Sequence, residues 1–479
     1  MASLLSGILE RSGVPIVAVF LALGAMLSPY GLGFVEIGFQ SPALHALAML
    51  GLALLLFSDA VTIDLAEVRA QKPLLWRLLG PGTLIPAMLV TVAAKFLLSL
   101  SWPASAILGA ALASTDPVLL RTIFRSRTLP EVTRTALRIE TGVNDLVLLP
   151  IVVLGILAMR ANVTATPVSG EEIARSLVGL FLLGPLLGAF VGWLGIVLLG
   201  QIRERFTVRR DYESLYALGL ALTAFAMAEI AGGSGFLAAF AAGLMVAIQD
   251  VELCDCFLEY GEATAEMLLM LTFVALGTGL IWTGFVILDF STIVFTLIAL
   301  VVRTVVLFPV LTRAHVSKRD RRLIALFGPR GLSTLLLVLL PVFAGIAGSE
   351  RLFSIASLVV LSSVVIHGAG IVWYLHAHRE RKEEAPTPVT QATSHAPLPV
   401  LDASEEATED IPDRITIDEV RKLRASGDDV IIIDARADRN RRNSDTQATG
   451  SIRIDPHDPV PDARALRLSQ RATLVVYCA

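Results

Sequence analysis

Asp145 closes the run Glu140-Thr141-Gly142-Val143-Asn144-Asp145, which sits inside a stretch otherwise rich in Leu, Val and Ile. Helical spacing of four places Glu140 with Asn144 on one face and Thr141 with Asp145 on the next. Carboxylate, hydroxyl and amide oxygens are hard ligands that suit an alkali ion, and a carboxylate can equally hold a proton. A second group, Thr115-Asp116-Pro117, sets a carboxylate beside a proline in another apolar stretch. Pro117 lacks an N–H and opposes the preceding turn, so a broken helix is expected there, with Asp116 bonding the freed backbone groups. A plain kink with Asp116 as a cap is the alternative. Asp59, in Phe57-Ser58-Asp59-Ala60, either lines an entry to the site or sits at an interface. Arg303 and the interrupted run Gly328-Pro329-Arg330-Gly331 supply cations that can neutralise buried carboxylates.

The elements that must carry these groups follow from composition. The chain has 479 residues, 54% hydrophobic and only 17% charged, where soluble chains carry about 25% charged residues. Mean hydropathy is +0.70. A soluble enzyme is excluded, and the formal net charge of −4 gives no basic excess for nucleic acid. A helix crosses the hydrocarbon core with about 20 mainly apolar residues. Candidate spans fall near 14–34, 43–60, 74–101, 104–124, 131–159 and 173–200, then 211–230, 234–250, 263–283, 288–313, 322–345 and 351–375.

Twelve spans put alternate loops on one side, and the basic residues sort accordingly. Clusters such as Arg121, Arg125 and Arg127, Arg203, Arg205, Arg209 and Arg210, and Arg319, Arg321 and Arg322 share one side, against Arg160, Arg175 and Arg351 on the other. Both termini are therefore expected in the cytoplasm, and the segment before the first span does not read as a removable signal peptide. Ionisable groups near the bilayer centre cost at least about 2.5 kcal/mol each, which marks Asp145 and its neighbours as functional. Interruptions in the fourth and eleventh spans occupy matching places in the two halves, the pattern of inverted repeats with broken helices. The glycine-rich run 232–243 reads as close helix packing, since no strand precedes it and no Lys follows. Cys254, Cys256 and Cys478 make no disulfide framework, and two neighbouring cysteines are a weak metal signal.

Past the last span, Pro386, Pro388, Pro397 and Pro399 and the acidic run 402–410 read as an extended linker. A short helix at 416–423 and apolar strands at 430–434 and 474–477 then suggest an α/β module. The expected layout is a transmembrane domain over 1–378, a linker over 379–412 and the module over 413–479. The fold class is an all-α polytopic membrane protein of about 12 transmembrane helices with inverted repeats and two broken helices, followed by a partial α/β module.

These motifs, in this order, resemble the monovalent cation:proton antiporter family in its sodium/proton exchanger branch: Phe57-Ser58-Asp59-Ala60, Thr115-Asp116-Pro117, Glu140 with Asn144-Asp145, the run from Gly235 to Gly243, Arg303, and Gly328-Pro329-Arg330-Gly331. The resemblance implies a homodimer in the lipid bilayer of a bacterial inner membrane, with no cofactor, that exchanges Na+ or K+ for H+ by alternating access. It implies that Asp145 carries cation or proton, with Asn144, Asp116, Thr115, Thr141 and Asp59 around the ion. It further implies a structural ion pair between Glu140 and Arg330, with Arg303 a core cation, and Asn144 beside Asp145 resembles the electroneutral branch. A current-carrying transporter or channel is a rival reading. The tail resembles a rhodanese domain through Asp434-Ala435-Arg436, Gly450-Ser451-Ile452 and Val475-Val476-Tyr477-Cys478. Its loop after Cys478 is not in the sequence, so the module reads as incomplete and not catalytic; a membrane-anchored sulfurtransferase or sulfur sensor is the remaining rival.

Overall fold

The computed structural model describes residues 16–63, 68–69, 71–116, 118–120, 124, 129–164, 169–205, 210–249, 255–314 and 316–383, and in the tail 420–421, 423–424, 430–435, 448, 450–454, 466 and 473–477. The chain divides into two compact units, Met1–Pro386 and Thr387–Ala479. Pro117, Cys254, Arg436, Cys478 and residues 384–412 lie outside the described residues.

The first unit is helical. Its helices are α1 (Ile16–Leu27), α2 (Pro42–Val61), α3 (Lys72–Leu79), α4 (Pro81–Leu97), α5 (Trp102–Ala113), α6 (Glu131–Thr164), α7 (Gly170–Val178) and α8 (Gly184–Arg205), with a π-turn at Gly179–Leu183 between the last two. There follow α9 (Arg210–Ile230), α10 (Gly235–Ile248), α11 (Asp255–Gly277), α12 (Thr283–Val286), α13 (Phe290–Val310), α14 (Lys318–Leu326), α15 (Leu332–Phe343) and α16 (Ser349–Glu383). Hydroxyls and carboxylates at the starts satisfy N–H groups that have no partner inside the helix. Ser41 accepts from Leu44 with Pro42 in the first turn, Ser101 accepts from Ala104, and Asp289 forms a reciprocal box with Thr292.

Among the described residues seven helical stretches are long and apolar enough to cross a membrane, or up to eight if the pair Ala263–Gly277 and Leu280–Val286, bent by 60°, is one span. Ile16–Leu27, Leu215–Ile230, Gly235–Ile248 and Leu332–Phe343 are shorter apolar helices of 10–17 residues. The straight span expected at 263–283 is thus corrected to a bent pair. Three residues, Gly277, Thr278 and Gly279, fall at the bend, where helix formers are missing. The linker boundary also moves: α16 continues through Glu383, because the charged run Arg379–Glu383 is built from good helix formers.

Two interruptions organise the centre. Helix α5 stops at Ala113, and Ser114 takes an extended conformation with φ −61° and ψ 140°. The second break separates α14 from α15 over residues 327–331. The breaks meet, since the Asp116 N–H donates to the Pro329 carbonyl over 3.0 Å. Helices α2, α5, α6 and α15 pack around this crossing, and α16 backs α15 and α5.

In the second unit three parallel strands, β1 (Val430–Asp434), β2 (Ile452–Arg453) and β3 (Thr473–Tyr477), form a sheet in the order β2-β1-β3. Val430 pairs with Thr473 and Asp434 with Tyr477. Parallel neighbours require crossover connections, the pattern of an α/β arrangement.

Candidate cation and proton site

Asp145 lies in the middle of α6, 5% exposed, where that helix meets α2, α5 and α15. The Ser114 hydroxyl, released by the end of α5, donates to Asp145 Oδ1 at 2.5 Å. The Ser333 hydroxyl, in the first turn of α15, faces the same carboxylate. Each interrupted helix thus offers one hydroxyl to the acid. Among the described residues no Lys, Arg or His forms an ion pair with Asp145. A small cavity beside it is lined by Leu52, Leu56, Leu149, Phe236, Phe240 and Leu337, so Asp145 is the polar group on an otherwise apolar wall.

Asn144 and Thr115 are joined, the amide Nδ2 donating to Thr115 Oγ1 at 2.7 Å. This fixes the amide, and Asn144 Oδ1, buried, has no hydrogen-bond partner among the described residues. A buried acceptor without a donor is costly. Asp116 has a different task. Its Oδ1 accepts from the Val118 N–H at 2.7 Å and its Oδ2 from the Leu332 N–H at 2.5 Å. One carboxylate therefore binds the backbone on both sides of the crossing, and it stabilises the N-terminus of α15. Gly331 makes this approach possible, because a Cβ there would collide with the Asp116 carboxylate. Thr141 donates to the carbonyl of Arg138 within its own helix at 3.1 Å. Asp59 on α2 stands against Gly142, where an added Cβ would come within 3.3 Å of the Asp59 Cβ.

The pairing of Glu140 with Arg330 is corrected. Arg303 takes Glu140 instead, through Nε at 3.1 Å and Nη2 at 2.7 Å to each carboxylate oxygen. Its Nη1 donates to the carbonyls of Ile324 and Ala325. Arg330, 1% exposed, donates Nη1 to the carbonyls of Ala113 and Ser114 at 2.9 and 2.8 Å. The reason is geometric: the end of α5 leaves carbonyls without intrahelical donors, and Arg330 is the cation nearest to them across the crossed breaks. Sequence reasoning missed Ser114 and Ser333. Ser114 precedes a recognised motif, and its position at a helix end was the available signal; Ser333 carried none.

A polytopic helical protein with two crossed, interrupted helices beside a buried, unpaired carboxylate has the architecture of a secondary transporter. The chain belongs to the transmembrane sodium/hydrogen exchanger family, whose profile matches residues 1–377. That membership makes it a transporter rather than an enzyme. It is 28% identical over 399 residues to the K(+)/H(+) antiporter NhaP2 of Shewanella sp. strain ANA-3, covering 81% of this chain and 67% of that protein. It is 27% identical over 370 residues to the K(+)/H(+) antiporter NhaP of Alkalimonas amylolytica, covering 76% and 62%. Among solved structures, the sodium proton antiporter MjNhaP1 of Methanocaldococcus jannaschii superposes with a TM-score of 0.58 at 21% identity, over 77% of this chain and 96% of that one.

Proposed function

We propose that this protein exchanges a monovalent alkali cation for H+ by alternating access, one for one, with Asp145 as the shared carrier. The observation that carries the reading is a buried carboxylate held by hydroxyls and, among the described residues, in no ion pair with a cationic side chain. An ionised, empty Asp145 is expensive to move through a closed apolar barrier, whereas a protonated or cation-filled one is close to neutral. Crossing therefore requires an occupant, and H+ and the cation compete for the same oxygens.

The charges around the crossing support this stoichiometry. Among the described residues the buried charged groups there are Asp116, Glu140 and Asp145 against Arg303 and Arg330. The site is one negative charge in excess when Asp145 is empty and balanced when one monovalent cation or one proton is bound. Asp116 is bound to backbone N–H groups and stays as a fixed charge, while Asn144 Oδ1 and the hydroxyls of Thr115, Ser114 and Ser333 offer oxygen ligands. Thr141 and Asp59 line the approach along α6 and α2. We count the seven long stretches, the bent pair and the four shorter apolar helices as crossings. An even number leaves both ends on one side, which the sorting of Lys and Arg among the loops supports as the cytoplasm, and the family resemblance supports a cell-membrane homodimer. Both Na+ and K+ belong in the test, because relatives are named for each: besides the K(+)/H(+) antiporters, the Na(+)/H(+) antiporter NhaS2 of Synechocystis is 28% identical over 241 residues, 48% of this chain and 43% of that protein.

The experiment is cation-triggered dequenching of a pH dye in vesicles, with Na+, K+ and Li+, for the wild type and Asp145→Asn. Wild-type vesicles should respond, with no dependence on a potential clamped by valinomycin and K+, and the variant should not. An Asp145→Asn protein that trades cation for acid at the wild-type rate would refute the reading.

A further inference from the structure

Two polar residues on α16 stand behind the crossing, four positions apart and so on one face. The Arg330 N–H donates to Ser363 Oγ at 2.7 Å, and Ser363 Oγ lies 3.0 Å from His367 Nδ1. The contact works in either tautomer: Nδ1 accepts from the Ser363 hydroxyl when the ring proton sits on Nε2, and donates to Oγ when Nδ1 carries the proton. Ser363 is buried and His367 half-buried.

The chain of bonds continues past Arg330. Its backbone is fixed by Ser363, and its guanidinium holds the carbonyls of Ala113 and Ser114. Ser114 in turn gives its hydroxyl to Asp145. The path from His367 through Ser363, Arg330 and Ser114 to Asp145 thus crosses α16, the break before α15 and the end of α5; its four hydrogen bonds are 3.0 Å or less, joined covalently through Arg330 and Ser114.

We propose that Ser363 and His367 are positioning residues for cation binding, which hold Arg330 so that Arg330 fixes the Ser114 hydroxyl against Asp145. The proposal rests on Asp145 being the carrier. Losing the last link should loosen the oxygen set that receives the cation while leaving the moving parts intact. The half-saturating cation concentration should change and the maximal rate should not.

The test uses the full chain in proteoliposomes, titrated with NaCl and with KCl. His367→Leu should raise the half-saturating concentration about three- to tenfold, the worth of one hydrogen bond, with the maximal rate within about twofold of wild type. His367→Asn places an amide group, able to accept or donate, where Nδ1 was and should restore the wild-type value. His367→Gln, which reaches the Nε2 position instead, should behave like His367→Leu. The Asn and Gln pair carries the comparison between two polar side chains if the Leu variant does not assemble. Because the proposed action runs through Ser114, His367→Leu combined with Ser114→Ala should bind no more weakly than Ser114→Ala alone.

Unchanged half-saturation in the Leu and Gln variants, equal losses in the Asn and Gln variants, or effects that multiply with Ser114→Ala would each overturn the proposal. Asp145→Asn, measured alongside, separates the two readings. If it abolishes exchange while all His367 variants match wild type, only the positioning role fails. If exchange survives it, the carrier assignment fails.

Discussion

Glu140 should be coupled more strongly to Arg303 than to Arg330, and the reason can be worked from the bonds. Arg303 makes three contacts to the Glu140 carboxylate and two to the carbonyls of Ile324 and Ala325. Arg303→Met strips Glu140 of its hydrogen-bonded counter-ion in a site where it is 3% exposed, and removing one member of a buried pair costs about 3–5 kcal/mol. Glu140→Gln removes the acid but leaves Arg303 its two carbonyls, so a smaller loss is expected. In the double variant neither charge is stranded, and stability should return most of the way, giving a coupling of about 2–3 kcal/mol. The corresponding cycle between Glu140 and Arg330 should give a clearly smaller coupling, because Arg330 hydrogen-bonds to main-chain carbonyls and acts on Glu140 only through space. Equilibrium unfolding in mixed micelles by a denaturing detergent, run on both cycles, measures the two couplings. A larger coupling for Arg330 than for Arg303 would refute the assignment of the ion pair.

Gly331→Ala should displace Asp116 from the Val118 and Leu332 N–H groups and abolish exchange, since the new Cβ meets a carboxylate that is already held on both oxygens; vesicle assays showing normal rates would contradict this. Gly188→Leu should prevent assembly of α8 against α10, where a side chain would strike the Ala238 backbone, while Gly219→Leu, with open space around it, should be tolerated; the yield of monodisperse protein distinguishes them. Asp289, outside the spans, caps α13, and the Thr292 N–H and hydroxyl hold its carboxyl below the ordinary 3.8. A depressed acid stabilises the fold above its unfolded value and loses that contribution as pH falls through the folded one. The melting temperature of the wild type should therefore drop more steeply below about pH 3.8 than that of Asp289→Asn, and parallel curves would count against the cap.

Much of the site was legible because lipid makes polar residues conspicuous. Asp145, Asn144, Thr115 and Asp116 each stood out from an apolar run, and both interruptions were marked by Pro or Gly at the right depth. The partner of Glu140 was not legible. Arg303 and Arg330 are equally plausible cations in a list of residues, and only the crossing of the breaks, which turns Arg330 toward the carbonyls ending α5, decides between them. Ser333 and Ser363 were silent for a related reason: a serine in a helix ordinarily satisfies itself on its own backbone, so its role depends on which segment passes nearby. The bend after Gly277 escaped because hydropathy averages over a window and does not register a local loss of helical order.

The tie between Asp116 and Pro329 also bears on how the protein is made. Synthesis runs from the N-terminus, so α5 and α6 enter the bilayer before residues 328–332 exist. Until those residues arrive, the Asp116 oxygen that will accept from Leu332, the Asp116 N–H and the carbonyls of Ala113 and Ser114 lack their final partners in an environment where each orphan costs several kcal/mol. The nascent first half must therefore keep water, or an insertion factor's polar groups, at that spot. The arrival of the later half then expels the guest and locks the early helices in place.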